Sequence, residues 1–209
     1  MADDNRAAEG SPNAAQSLDQ RVRIEAFSAV YGGEAPSGSE LAGRLGVAPE
    51  EAEIAVRVLV DRGLATVDAG GHVNGSHGLS LAPTDHRVTL DVGIRYVWCA
   101  VDAVGIPAAL GVDAQIASRC FFCGAAVSLT VKEGEPVGPN VGSLRIGMGV
   151  LRSTGRVVEE VCPTINFFCS AEHAAAWAET TTGAQTIDLR RAAEIGRREW
   201  ADIAHLAGR

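Results

Sequence analysis

The chain has 209 residues, 46% of them apolar, with a net charge of -8 and a pI near 5.1. That length accommodates one or two domains with a packed core. The acidic balance argues against nucleic acid or an anionic membrane surface as the partner of the chain as a whole.

Residues 1–17 are polar and acidic, carry no apolar segment of a secretory signal, and are expected to form a disordered tail. No apolar run approaches membrane-spanning length, so a cytoplasmic protein is expected. The five cysteines, Cys99, Cys120, Cys123, Cys162 and Cys169, are an odd number in a chain without a visible signal. They suit reduced thiols used for metal or chemistry better than a disulfide framework.

The predicted elements begin with a helical unit over 18–80. Val22 to Tyr31 predicts a first helix closed by Gly32 and Gly33, and Ser39 is placed near the N-cap of a second. Pro49 opens a third helix running to about Arg62, and Leu64–Val67 with His72–Val73 around Gly70 and Gly71 predicts a small β-wing. This order is winged-helix-like. Between Arg21 and Ala82, however, five Arg face eight Asp plus Glu, and the third helix opens with Glu50, Glu51 and Glu53. Carboxylates there would repel phosphates, so a structural or gating role is expected rather than DNA reading.

Residues 76–90 read as a linker or cover, and 81–209 as a second domain. Arg95–Val104 predicts a helix stopped before Pro107. Alternating patterns predict strands around Val112–Ile116, Val127–Val131 and Leu144–Val150, with a short run at Thr164–Phe168. Ser170 predicts the cap of a helix carrying Ala174 and Trp177, and a last amphipathic helix starts near Asp188. The fold class is α+β: a winged-helix-like helical domain followed by a mostly antiparallel sheet domain flanked by helices.

Cys99 and Asp102 lie three residues apart, so on a helix their Cβ atoms would sit roughly 5–6 Å from each other. A thiol and a carboxyl at that separation can exchange a proton. The surroundings of Asp102 (Val97, Trp98, Ala100, Val101, Ala103, Val104) are apolar, so it is either a solvated exception or a partly buried carboxyl with a raised pKa. Cys162, before Pro163 and a β-like run, can face a cleft. Cys120-Phe-Phe-Cys123-Gly124 has a zinc-knuckle shape, for which Cys162 and Cys169 are the candidate second pair although six residues separate them. A redox role for this CxxC ranks lower, since a hairpin supplies no helix N-terminus. His72, His77, His86, His173 and His205 form no ligand motif and read as surface or core residues.

The block Arg95-Tyr-Val-Trp-Cys-Ala-Val-Asp-Ala-Val104 resembles the organomercurial (alkylmercury) lyases. So do Ile106-Pro-Ala108, Ser118-Arg-Cys120, Gly124–Val131, and Cys162 before Asn166-Phe-Phe168. The resemblance covers most of the chain beyond residue 17, and its most specific part is Tyr96-x-Trp98-Cys99-Ala100-x-Asp102. It implies cleavage of carbon–mercury bonds by protonolysis, in mercury detoxification. Cys99, Cys162 and Asp102 take the essential positions, and Cys120 that of a cysteine thought structural. It implies no required cofactor, Hg(II) bound as product by Cys99 and Cys162, an organomercurial substrate, and low-molecular-weight thiols or a mercuric reductase as Hg(II) acceptors. The thiol-rich pair Cys120 and Cys123, and Cys169 after the Phe-Phe, depart from the family pattern; such extra thiols could trap mercury unproductively or bind zinc. Two other readings stand beside it: a winged-helix metal-responsive transcriptional regulator, and a zinc-stabilised metal-binding relative without lyase activity.

Overall fold

The computed structural model describes residues 16–149 and 156–204. The expected tail falls outside these except for Gln16 and Ser17, as do Val150 and His205. Ser17 instead caps the first helix, its hydroxyl accepting from the Gln20 N–H.

Three helices come first: α1 (Leu18–Gly32), α2 (Gly38–Leu45) and α3 (Pro49–Asp61). Gly33 ends α1 in the left-handed region, as expected of a C-terminal glycine. The cap of α2 is Ser37 rather than Ser39. Ser37 and Glu40 form a reciprocal capping box that satisfies two backbone donors, whereas Ser39 is already the second residue of the helix. The hairpin β1 (Ala65–Val67) and β2 (Val73–Ser76) follows. Val22, Ala26, Leu41, Ala55, Leu59 and Val73 close a small core, while Phe27 and Val30 of α1 enter the main core. α1 therefore ties the helical unit to the rest.

The expected linker at 76–90 is mostly strand: β3 (Leu79–Ser80) and β4 (His86–Leu90). His86, Val88 and Leu90 point inward, and the polar first position hid the alternation. That buried imidazole is satisfied by the Ser118 hydroxyl at 2.7 Å. The expected helix over Arg95–Val104 is also corrected. Residues Gly93–Val97 form β5, and α4 spans Ala100–Leu110. Arg95 misleads because it is a buried charge in a strand, its guanidinium donating to the carbonyls of Val30, Tyr31, Val92 and Ile94. Nor does α4 stop before Pro107. A proline in a helix interior costs roughly 3 kcal/mol, but α4 is buried along nearly its whole length. Each large apolar side chain so buried returns roughly 1.5–3 kcal/mol.

The remaining elements are β6 (Ala114–Arg119), β7 (Ala126–Lys132), β8 (Glu135–Val137), β9 (Arg145–Met148), β10 (Ile165–Phe168), α5 (Ala171–Thr180), β11 (Gln185–Ile187) and α6 (Leu189–Glu199). An eight-stranded sheet runs β1-β2-β3-β5-β4-β6-β7-β8, and a three-stranded sheet runs β10-β9-β11, with every pair antiparallel. The fold is mixed helix and antiparallel sheet. Among the described residues no helix is long and apolar enough to cross a membrane.

α4 crosses α6 where Gly105 meets Gly196. A Cβ on Gly196 would lie 2.1 Å from the Gly105 Cα, so the two backbones touch. Gly196→Ala must push the helices apart, and a loss of about 1–3 kcal/mol is expected, read as a lower urea midpoint. An unchanged midpoint would show that this crossing relaxes freely.

Candidate active site

β5 delivers the chain to Trp98, whose N–H donates to the Gly78 carbonyl at 2.9 Å. Cys99 then has extended backbone and caps α4, its sulfur accepting from the Asp102 N–H at 3.4 Å. Cys99 and Asp102 are thus N-cap and third helical residue, not two positions inside one helix. Cys162 arrives from the other side. A π-helical turn, Val157–Val161, leads into a tight turn at Cys162–Thr164, which feeds β10. That lead-in is held by the helical unit, through the Val157 N–H to the Arg62 carbonyl and the Val158 N–H to the Gly63 carbonyl.

The structure brings Cys99, Asp102 and Cys162 together. One ligand atom from each lies within 4.8 Å of the others, and all three residues are buried. They sit at the wall of a cavity of about 360 Å³, lined also by Leu64, His77, Trp98, Met148, Ile165 and Trp200. Leu64 and His77 come from the N-terminal unit, so that unit roofs the cavity.

Burial dominates the electrostatics. It pushes the Asp102 carboxyl up to about 7, against hydrogen bonds from the Cys99 thiol and backbone, with the charge of Glu199 adding to the rise. The Asp102 Oδ2 has no hydrogen-bond partner among the described residues. The Cys99 thiol is raised well above its ordinary value by burial, then by its hydrogen bond with Cys162 and by the Asp102 charge. A helix N-terminus favours an anion by roughly 0.3–2 kcal/mol, too little to offset this desolvation. Burial therefore favours the neutral, protonated form of the Cys99 thiol.

In the sequence Gly78 reads only as part of the linker or cover segment, with no sign that it packs against Asp102. Its φ is +95°, and a Cβ there would lie 2.8 Å from the Asp102 Cγ. Bare backbone thus packs against the carboxyl. The preceding His77 is buried, its imidazole depressed to about 4 by burial, and its carbonyl accepts from the Trp200 indole N–H at 2.8 Å. Gly78→Ala combines backbone strain with this collision and is expected to cost about 1–3 kcal/mol, measured by chemical denaturation. A full-stability variant would mean that Asp102 moves aside at no cost.

The other thiols lie apart from this cavity. Cys120, Cys123, Cys169 and His173 form a second cluster, again with ligand atoms within 4.8 Å of each other. Cys162 is not in it, so the expected second pair of Cys162 and Cys169 is replaced by Cys169 and His173. The Cys169-x-x-x-His173 spacing was readable, since a residue just before a helix and one in its first turn can converge. Burial raises the Cys120 thiol, but backbone hydrogen bonds from Cys169 and Cys123 and the His173 ring outweigh it and bring it to about 6. Burial and the neighbouring sulfurs of Cys120 and Cys123 push Cys169 up to about 11.

The alkylmercury lyase family model matches residues 79–201, more than half of the chain. The chain belongs to the alkylmercury lyase family. It is 31% identical over 131 residues to the alkylmercury lyase of Staphylococcus epidermidis, covering 63% of this chain and 60% of that relative. The alkylmercury lyase of Bacillus cereus is 28% identical over 166 residues, 79% of this chain and 74% of the relative. Among solved structures, the mercury-bound form of MerB2 superposes with a TM-score of 0.82 at 25% identity, covering 92% of this chain and 94% of that one. The family match takes in Cys99, Asp102 and Cys162, and also the second cluster.

Proposed function

We propose that this alkylmercury lyase family member cleaves carbon–mercury bonds by protonolysis, with Cys99, Cys162 and Asp102 as its catalytic residues. The observation that carries the reading is the convergence of two thiols and one carboxyl within 4.8 Å beside a mainly apolar cavity. Thiols are the preferred ligands of a soft metal, and an apolar cavity suits an alkyl or aryl group.

The steps balance as follows. One thiol replaces the ligand carried by R–Hg⁺, forming a sulfur–mercury bond and releasing its proton. The second thiol passes its proton to Asp102 and binds the same mercury as thiolate, which raises electron density on the Hg–C bond. Asp102 protonates the carbon, the Hg–C bond breaks, and R–H leaves. Hg(II) stays on both sulfurs until low-molecular-weight thiols or a mercuric reductase in the cytoplasm accept it. No organic cofactor enters this scheme. A carboxyl with a pKa near 7 suits both receiving and giving a proton at neutral pH. Benzene formed from phenylmercuric acetate, with mercury retained, is the test.

The helices and hairpin of 18–80 are proposed to be a winged-helix-like cover over the lyase domain of 81–209, not a DNA reader. Support comes from Leu64 and His77 at the cavity and from Glu50 and Glu51 in the first turn of α3.

A further inference from the structure

The second cluster lies outside the proposed reaction. It joins two places far apart in the sequence. Cys120 and Cys123 flank the turn between β6 and β7, and Gly124 completes that turn with φ +72°. Cys169 directly follows β10, and His173 lies in the first turn of α5, behind the Ser170 cap. The two parts are also tied by the Phe121 N–H, which donates to the Phe167 carbonyl at 2.8 Å. Phe122 stacks on the His173 ring with centroids 4.8 Å apart, which fixes the imidazole plane.

The distances select among the things such a cluster could be. Cys123 and Cys169 sulfurs are 3.7 Å apart, the Cys120 sulfur is 3.7 Å from the His173 Nδ1, and the Cys169 sulfur is 3.1 Å from it. A disulfide needs about 2.05 Å, and all five cysteines are free. Tetrahedral zinc, with Zn–S of about 2.3 Å and Zn–N of about 2.0–2.1 Å, places its ligand atoms roughly 3.5–3.8 Å apart. Two of the three distances already match, and the third must open by a few tenths of an ångström. The donor set also fits. Three thiols and one imidazole form a closed structural set with no position left for substrate. Under the proposed function, mercury is handled by Cys99 and Cys162 instead.

We infer that Cys120, Cys123, Cys169 and His173 form a structural zinc site clipping the β6–β7 turn to the β10–α5 junction. β10 runs directly from the Cys162 turn to Cys169. The metal would therefore anchor the far end of the strand whose near end carries Cys162.

The test is metal content of full-length protein purified with reducing agent and zinc. One zinc per chain is expected, unchanged in Cys99→Ser and lost in Cys123→Ser and His173→Ala. Cobalt(II) substituted into the native protein should show the absorption of a tetrahedral, sulfur-rich site, a readout that holds even where a variant folds poorly. Removing zinc by chelation should lower Tm. Zinc-free native protein with all five thiols titratable would overturn the inference. So would zinc lost with Cys99→Ser but kept in Cys123→Ser, or a disulfide between Cys123 and Cys169 in place of metal.

Discussion

Cys99→Ser and Cys162→Ser are each expected to abolish benzene release from phenylmercuric acetate. A hydroxyl is a poor ligand for a soft metal, and the proposed Hg–C weakening needs two sulfurs on one mercury. Each variant keeps one buried thiol beside Asp102, so mercury capture persists with weaker retention against competing thiol. The effect falls on chemistry rather than folding, because both side chains are small and Ser nearly conserves their volume. Single-turnover product analysis alongside mercury binding separates the two. Native turnover in either variant would remove that cysteine from the reaction.

Asp102→Asn is expected to be more stable than the native protein at pH 8. The Asp102 carboxyl moves from an ordinary value near 3.8 to about 7 on folding. For such a raised acid the native state binds its proton more tightly than the unfolded state does. The stability this confers is complete below about pH 4 and is lost as pH rises through 7. Roughly three pKa units at 1.36 kcal/mol each give about 4 kcal/mol. Asparagine is never ionised, so its advantage should grow between pH 4 and 7 and then level off. Urea unfolding of both proteins at pH 4, 6 and 8 reads this directly. A difference that does not change with pH would mean that Asp102 is not desolvated.

Much of this site was legible locally. The spacing of Cys99 and Asp102 put a carboxyl next to a thiol, and the apolar residues around them left two choices, a solvated exception or a partly buried acid; burial decides for the second. Their helix was placed a few residues early, because Arg95 faces inward yet is satisfied by carbonyls from α1, a contact no local pattern reveals. Cys162 joins them only through tertiary structure. The strands around Ile116, Leu129 and Ile146 alternated cleanly and were found. β8 and β11 are three residues each, too short to show a period, and were not. His173 was dismissed because its partner cysteines lie mostly in a distant turn, although its spacing from Cys169 was already suggestive. Gly78 belongs to a class that sequence reasoning sees poorly, since the reason for the missing side chain is the carboxyl that packs on it.

Asp102 as proton donor to carbon is the central claim, and product analysis of phenylmercuric acetate with native protein and Asp102→Asn in excess thiol tests it most directly. The native protein should yield benzene and protein-bound Hg(II). Asp102→Asn should hold phenylmercury with its carbon–mercury bond intact and release benzene about 10²–10⁴-fold more slowly, the usual effect of losing a positioned acid. Benzene released by Asp102→Asn at the native rate would contradict the account, as would native protein that binds mercury tightly and releases none.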